Sequence, residues 1–341
     1  MDLETVLGHY RPDVENELRH VLSAGSLPMY DMMRYHLGWV DVEGNPRQGM
    51  PGKRLRPCLC LYACEAVGGD WRRALPAAAA LELIHNFSLI HDDIEDESAQ
   101  RRGRPTVWHI WGKPQAINTG DGMHVLARQS LLRLIGTGID PRRFIQASSQ
   151  LEEACIRLCE GQYLDISFEN RVDIGVKDYL QMINGKTAAL FRCSLVIGAL
   201  VGMGHGSQIS YLGRYGTAIG MLFQVYDDML GIWGDSSQTG KSATSDIERK
   251  KKTLPIIYAF ENTSDDDLRK LCNIYQRDVI ELSDVDFVLK LLDLLNTRQY
   301  MKSMVDTYYD IALTELEAAD ISKEAKDGFK AITDSLVKRE N

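Results

Sequence analysis

The chain has no apolar run long enough to cross a bilayer: the longest, Cys193 to Met203, falls far short of the roughly 20 residues a spanning helix needs. Stable membrane insertion is therefore not expected. Alternation of Val, Ile, Thr and aromatic residues with polar ones is almost absent, which leaves little from which to build strands. None of the seven cysteines forms a CxxC pair. Cys58, Cys60, Cys64, Cys155 and Cys159 sit in apolar, helix-like runs and read as reduced core thiols of a cytoplasmic protein. Basic residues are in deficit, with Lys+Arg 39 against Asp+Glu 48, a net charge of -9 and a pI near 5.4. That balance excludes general electrostatic binding to nucleic acid or to an anionic membrane surface. An anionic ligand is left to local bases or bound cations. The opening MDLETVLGHY carries no basic segment followed by an apolar core, so no secretory leader is expected.

What the sequence does have is helical period. Val14, Leu18, Val21 and Leu22 share one face behind Pro12, which suits a first helical turn. The loop DVEGNPRQGMPG (41–52) precedes a helix from about Leu55 and a long helix from about Pro76, which ends in an acid-rich stretch and a break near Arg101 to Pro105. Further helices are expected over 150–168, 176–202 and 207–234, then a Lys-rich connector and a helical third from about Asp265. No repeat, low-complexity tract or separating linker is visible, so residues 1–341 are read as one all-α domain, a single large helical bundle. Gly198 and Gly202, four apart, permit close approach of a neighbouring helix.

Two acidic pairs stand at the ends of apolar helical stretches. In LIHDDIEDESAQRRGRP, Asp92 and Asp96 lie on one helical face with Asp93 a quarter turn away. Like charges so placed repel, and oxygen-only ligands at this spacing suit a hard cation such as Mg²⁺. In GTAIGMLFQVYDDMLG, the face of Gly216 and Gly220 continues to Gln224 and Asp228, with Asp227 alongside. Two such helix ends facing each other would make a multi-Mg²⁺ site for a diphosphate. Lys53 and Arg56 share a face in GKRLRP, Arg101 and Arg102 follow the first acid cluster, and Lys186 and Lys241 offer further bases for phosphate. The strings GKT (185–187) and GKS (240–242) are not P-loops, since Leu180 and Asp235 stand where the leading Gly is required.

In order, the segments GKRLRP, LIHNFSLIHDDIEDESAQRRGRP, GQYLD, GKTAALF, FQVYDDMLG and GKSATSD resemble the trans-isoprenyl diphosphate synthases from about Gly52 to Pro255. The resemblance implies a bundle of long antiparallel helices around a central cavity, a homodimer, and Mg²⁺-dependent condensation of isopentenyl diphosphate with an allylic diphosphate. It implies that the two acidic helix ends face each other. Asp92 and Asp96 match the family's first metal-binding aspartates and Asp227 the principal one of the second motif, with Asp93 and Asp228 supporting. Lys53, Arg56, His85 and Arg102 match the pocket for isopentenyl diphosphate, and Arg101, Lys186 and Lys241 match contacts to the allylic diphosphate. Gln162, Asp165, Thr187, Phe223 and Gln224 match residues around the reacting carbons and the metal-bound water. Ionisation of the allylic diphosphate, attack by the alkene and proton loss to the released diphosphate need no side-chain nucleophile.

One departure is Gly231, where the second motif usually carries an Asp; another is the run Lys250, Lys251 and Lys252, in which spacing does not identify the family's single lysine. Five residues before Asp92 stands Phe87, and four before it Ser88. One aromatic at the earlier position resembles geranylgeranyl synthases and two resemble farnesyl synthases, so Phe87 is expected to floor the product tunnel at twenty carbons. A class I terpene cyclase shares the first acid cluster, but it normally pairs it with an Asn/Ser/Glu motif and needs no isopentenyl pocket. A non-catalytic partner subunit tends to lose aspartates or bases that are all present here.

Overall fold

Proline in the first turn and a one-sided apolar face shape the first helices. In the computed structural model, which describes residues 3–47, 52–169, 171–234, 244–277 and 279–337, α1 (Arg11–Leu22) carries Pro12 in its first turn and buries Val14, Leu18, Val21 and Leu22. α2 (Pro28–His36) and α3 (Leu55–Ala66) follow. α4 (Leu75–Glu95) is apolar on every side, with Ala77 to Ala80 wholly buried, so neighbours can surround it. α4 packs chiefly on α5 (Lys113–Leu132), and also on α1 and α3. Between them the chain makes a short antiparallel hairpin, β1 (Gln100–Arg101) with β2 (Arg104–Pro105), where a plain break was expected. Apart from this hairpin and one isolated bridge, regular structure among the described residues is helical.

The chain groups into two compact units, Leu3–Glu152 with Cys193–Ser210, and Glu153–Arg192 with Tyr211–Asn341. In the first, Gly198 and Gly202 of α8 (Ala189–Val201) and its end sit against α3. A Cβ at 198 would stand 2.1 Å from the Cys60 carbonyl oxygen, and one at 202 would stand 2.4 Å from that of Cys64. The close approach expected of this pair is there, and only glycine allows it. Cys58, Cys60, Cys64, Cys155 and Cys193 are buried, whereas Cys159, read as a core thiol, is exposed.

The second unit gathers two apolar clusters. One joins Phe168 at the end of α6 (Pro141–Phe168), Tyr179 and Met182 of α7 (Val176–Ile183), Leu222 and Val225 of α9 (Gly206–Trp233), and Leu254 of α10 (Leu254–Asn262). The other packs α10 with α11 (Asp265–Gln276) and α12 (Leu282–Leu294) through Phe260, Leu271 and Val288. α13 (Thr297–Ala318) and α14 (Lys323–Val337) complete it. The single helix expected over 176–202 is interrupted by a π-helical turn at Asn184–Ala188. Such turns concentrate at functional positions, and this one holds Lys186 and Thr187. No described helix is long and apolar enough to cross a membrane.

Candidate active site

Asp92 lies in the last turn of α4 and Asp96 is its C-cap residue, its amide donating to the Asp92 carbonyl at 2.8 Å. A helix C-terminus already carries partial negative charge, so carboxylates placed there deepen a negative potential that a cation relieves. Asp96 is exposed and Asp92 partly so, which leaves their oxygens at the surface. Asp93, expected to support the metal, is placed differently from Asp92 and Asp96. It is buried, and its Oδ1 accepts from Arg101 Nε of β1 at 2.8 Å. Burial pushes the Asp93 carboxyl up to about 6 against the opposing pull of Arg101. Its buried Oδ2 has no hydrogen-bond partner among the described residues. Arg101 is thus tied to the acid cluster, and the hairpin is the device that turns it back.

The bases converge in the same unit. Arg56 Nη1 lies 3.4 Å from His85 Nε2, and a Cβ on Gly52 would stand 2.9 Å from Arg102 Nη1, so the Arg102 guanidinium packs against the start of GKRLRP. Lys53 is exposed beside them, its carbonyl accepting from Arg11 Nε at 3.3 Å. Burial, then Arg56, Arg102 and Arg101, hold His85 well below the usual histidine range. His36, which sequence reasoning missed, is lowered likewise by burial and by Arg101 and Arg102. Arg54, inside the motif but also missed, is the scaffold of the group. It is buried, takes a left-handed φ of 48°, and pairs through Nε with Glu15 and through Nη1 with Glu82, each at 2.6 Å. The two pairs fasten the start of α3 to α1 and α4, which orients Lys53 and Arg56 on either side. The identity of Arg54 was legible, but its partners, 39 and 28 residues away, were not.

Held neutral when folded, His85 gains a proton only on unfolding, near its ordinary pKa of about 6.5. Below that pH the unfolded chain binds the extra proton, so this histidine costs stability as pH falls. Asp93, with its raised pKa, works in the opposite direction, favouring the folded state as pH falls from about 6 toward its unfolded value. A difference measurement isolates the histidine. His85→Asn is expected to gain stability relative to wild type by up to about 1.4 kcal/mol per pH unit below 6.5, read from urea midpoints at pH 7, 6 and 5. A difference that stays flat with pH would contradict a neutral His85.

On the face of α4 upstream of Asp92, the Phe87 ring lies 4.7 Å from that of His124 on α5 and 5.7 Å from that of His91. Ser88 is buried and donates to the His85 carbonyl at 2.9 Å. His124 was not foreseen. It is backed by Arg128, whose Nη1 is 2.5 Å from His124 Nε2 and whose Nη2 binds Glu152 at 2.6 Å. Phe87 is therefore one face of a braced aromatic wall.

In the second unit, glycine brings α6 onto the π turn. A Cβ on Gly161 would stand 2.2 Å from the Lys186 amide nitrogen, and one on Gly185 would stand 2.6 Å from the Arg157 carbonyl oxygen. The contact sets Lys186 Nζ on the Asp165 carboxylate, with Gln162 buried on the next face of α6. Thr187 donates to Gln224 Oε1 at 2.9 Å, and the Phe223 ring lies 5.5 Å from that of Phe191. The acidic pair divides as the first one does. Asp227 is exposed, whereas Asp228 is 3% exposed and faces inward. Both Asp228 oxygens are engaged, Oδ1 by Gln224 Nε2 at 3.0 Å and Oδ2 by Tyr179 Oη at 2.5 Å and the Leu254 amide at 3.2 Å. Burial raises its carboxyl to about 7 despite these three donors. Asp228, expected to support the metal, is thus held by protein donors, whereas Asp227 faces out. Lys241 lies outside the described residues.

Among the described residues, no three His, Cys, Asp or Glu side chains gather into a group able to hold a metal alone. Mg²⁺ does not require one, since it binds through one or two carboxylates and completes its shell with water and substrate phosphate. Asp92 with Asp96, and Asp227, fit that demand. GKT lies in a π turn between helices, not in a strand-to-helix loop, as rejection of a P-loop requires.

The family model of the polyprenyl synthetases matches residues 47–292. The chain belongs to the polyprenyl synthetase family. It is 36% identical over 317 residues to a geranylgeranyl diphosphate synthase of Mycobacterium tuberculosis, a match covering 93% of this chain and 89% of that protein. It is 41% identical over 253 residues to a (2E,6E)-farnesyl diphosphate synthase of the same organism, covering 74% and 69% respectively. The crystal structure of a polyprenyl synthetase from Streptomyces coelicolor A3(2) superposes with a TM-score of 0.92 at 34% identity, over 98% of this chain and 100% of that one. A geranylgeranyl pyrophosphate synthase from Corynebacterium glutamicum, complexed with isoprenyl diphosphate and magnesium, gives 0.84 at 25% identity, over 98% and 99%. The fold is the all-α isoprenoid synthase fold.

Among polyprenyl synthetases the departure at Gly231 has a local cause. A Cβ there would stand 2.0 Å from Asp246 Oδ2, so the Asp246 carboxylate fills the space an aspartate at 231 would need. Asp246, a residue of the next segment, thus stands beside position 231, one turn past Asp227. Lys250 Nζ is engaged by the Arg277 carbonyl at 2.6 Å, and Lys252 Nζ lies 5.8 Å from the centre of the Phe260 ring.

Proposed function

We propose that this chain is a short-chain prenyl diphosphate synthase that joins isopentenyl diphosphate head to tail to an allylic diphosphate, with geranylgeranyl diphosphate as product. The observation that carries the reading is the coexistence of surface carboxylates at Asp92, Asp96 and Asp227 with a separate cluster of Lys53, Arg56, His85 and Arg102. One group of charges suits a metal-bound leaving diphosphate, and the other suits a second diphosphate that is not to be cleaved. A cyclase has no use for the second. Asp92, Asp96 and Asp227 would hold Mg²⁺, which when bound neutralises charge growing on the departing diphosphate. Lys186 and Arg101, each paired with a carboxylate that keeps it in place, are donors suited to phosphate oxygens. Thr187 and Gln224 present oxygen lone pairs to the allylic cation, and Phe223 adds a wall that cannot trap it. Lys53, Arg56 and Arg102 hold isopentenyl diphosphate, with neutral His85 beside them as donor or acceptor. The reading is tested by mixing isopentenyl and farnesyl diphosphates with the protein. Release of inorganic diphosphate that needs both substrates and stops with a chelator supports it; release from farnesyl diphosphate alone contradicts it.

The aromatic wall at Phe87 supports the twenty-carbon product. Phe87→Ala is expected to shift chain length beyond twenty carbons, and Phe87→Leu less so, measured by mass spectrometry of dephosphorylated products. An unchanged distribution in both variants would move the floor away from Phe87. A second copy of the chain is the proposed partner. Ile117, Val125 and Leu132 form an exposed apolar stripe on α5, and Ile145, Ile156 and Tyr163 form another on α6. A sedimentation mass of one chain at micromolar concentration would contradict it. The buried free thiols fit a cytoplasmic setting.

A further inference from the structure

Tyr179 belongs to no acidic or basic motif, yet its hydroxyl starts a chain of hydrogen bonds that ends at the reacting carbons as placed above. It donates to Asp228 Oδ2 at 2.5 Å. Asp228 Oδ1 accepts from Gln224 Nε2 at 3.0 Å, and Gln224 Oε1 accepts from Thr187 Oγ1 at 2.9 Å. The direction of each bond follows from the chemistry of the groups. With Tyr179 and the Leu254 amide both donating to Asp228 Oδ2, its Oδ1 accepts from Gln224, and an amide has one donating and one accepting end. Asp228 therefore fixes which end of the Gln224 amide faces it. The Gln224 oxygen is thereby turned toward Thr187, whose hydroxyl must spend its proton on it. With that proton committed, the remaining Thr187 lone pairs point away from Gln224. The string thus sets the orientation of two oxygen dipoles.

We propose that Tyr179 is a positioning residue for the condensation. Acting through Asp228, it holds Gln224 and Thr187 with their lone pairs directed at developing positive charge. The inference rests on the functional reading above. Of the three donors to Asp228, the Gln224 amide is the one to be oriented, and the Leu254 amide at the start of α10 is fixed by the backbone. Tyr179 is the remaining side-chain donor, and it lies on α7, directly before the π turn that carries Thr187. Its ring is 3% exposed in the cluster with Met182, Leu222 and Val225, so the hydroxyl has one geometry available. Without it, Asp228 Oδ2 keeps a single donor and the carboxylate is free to turn, taking the Gln224 amide with it.

The test is steady-state kinetics with both substrates on wild type, Tyr179→Phe, Thr187→Val and the double variant. Phenylalanine keeps the ring and its packing. Tyr179→Phe is expected to lower kcat about tenfold, the loss typical of one hydrogen bond to a charged group, while the KM of each diphosphate stays within about twofold. The double variant is expected to lose less than the product of the two single losses, because Tyr179 and Thr187 act along one string. Asp228→Asn, which keeps the shape but offers a donor where Gln224 needs an acceptor, carries the same expectation should Tyr179→Phe not fold. A wild-type kcat, a change confined to KM, or additive losses in the double variant would overturn the inference and leave the proposed function standing. A wild type that condenses nothing overturns both.

Discussion

Asp92→Ala and Asp227→Ala are each expected to lower turnover about a thousandfold, the scale seen when a preorganised group facing transition-state charge is removed, with the helical circular dichroism signal unchanged. The structural reason is the division within each acidic pair. Asp227 is exposed and Asp92 partly exposed, so neither supports the interior. Asp92 stands in the last turn of its helix, where the backbone already adds negative potential, and Asp227 lies six residues before the end of α9. Their removal is expected to leave stability unchanged or slightly raised. Asp93→Ala and Asp228→Ala are expected to behave differently, because each strips a buried acid from its donors: Arg101 in one case, and Tyr179, Gln224 and the Leu254 amide in the other. Those two variants should lose folded stability first and turnover as a consequence. Near-wild-type turnover in Asp227→Ala, or equal thermal destabilisation across all four variants, would contradict the assignment of the outer acid of each pair to the metal.

Gly161→Ala is expected to cost about 3 kcal/mol of stability, at the upper end for an overpacked site, and about a hundredfold in turnover, the penalty for displacing a positioned group by about 1 Å. A single methyl is enough because of what it meets. The Cβ would fall 2.2 Å from the Lys186 nitrogen, 2.7 Å from its Cα and 2.8 Å from the Gly185 carbonyl carbon. All three are backbone atoms of the π turn, so no side chain can swing aside. The turn must shift, and it carries Lys186 away from Asp165 and Thr187 away from Gln224 together. Thermal denaturation and steady-state turnover measured on the same preparation check both halves. A variant with wild-type midpoint and rate would show that α6 and the turn are looser than the contact implies.

How much of this was legible depended on whether the determining contact was local. The helical fold was, because apolar residues recur at helical spacing through most of the chain and strand alternation is scarce. The close approach at Gly198 and Gly202 was, because two small residues one turn apart admit little else. The acidic pairs were found by their spacing, yet spacing did not say which member faces out. That choice is made by neighbours distant in sequence: Arg101 across the hairpin for Asp93, and Tyr179 and Leu254 for Asp228. The π turn was hidden because an inserted residue leaves the apolar pattern of 176–202 almost intact; the paired glycines at 161 and 185 were its only trace. Arg54 and His36 were missed because a lone base gives no sign of its partners. Gly231 read as a lost acid until Asp246 was seen in the space it leaves.

The most direct test of the central claim is to incubate the purified protein with Mg²⁺ and isopentenyl diphosphate together with dimethylallyl, geranyl, farnesyl or geranylgeranyl diphosphate in turn, and to identify the dephosphorylated products by mass spectrometry. Linear alcohols that end at twenty carbons, with geranylgeranyl diphosphate left unextended, are the predicted result. Cyclic hydrocarbons formed from an allylic diphosphate without isopentenyl diphosphate would contradict it.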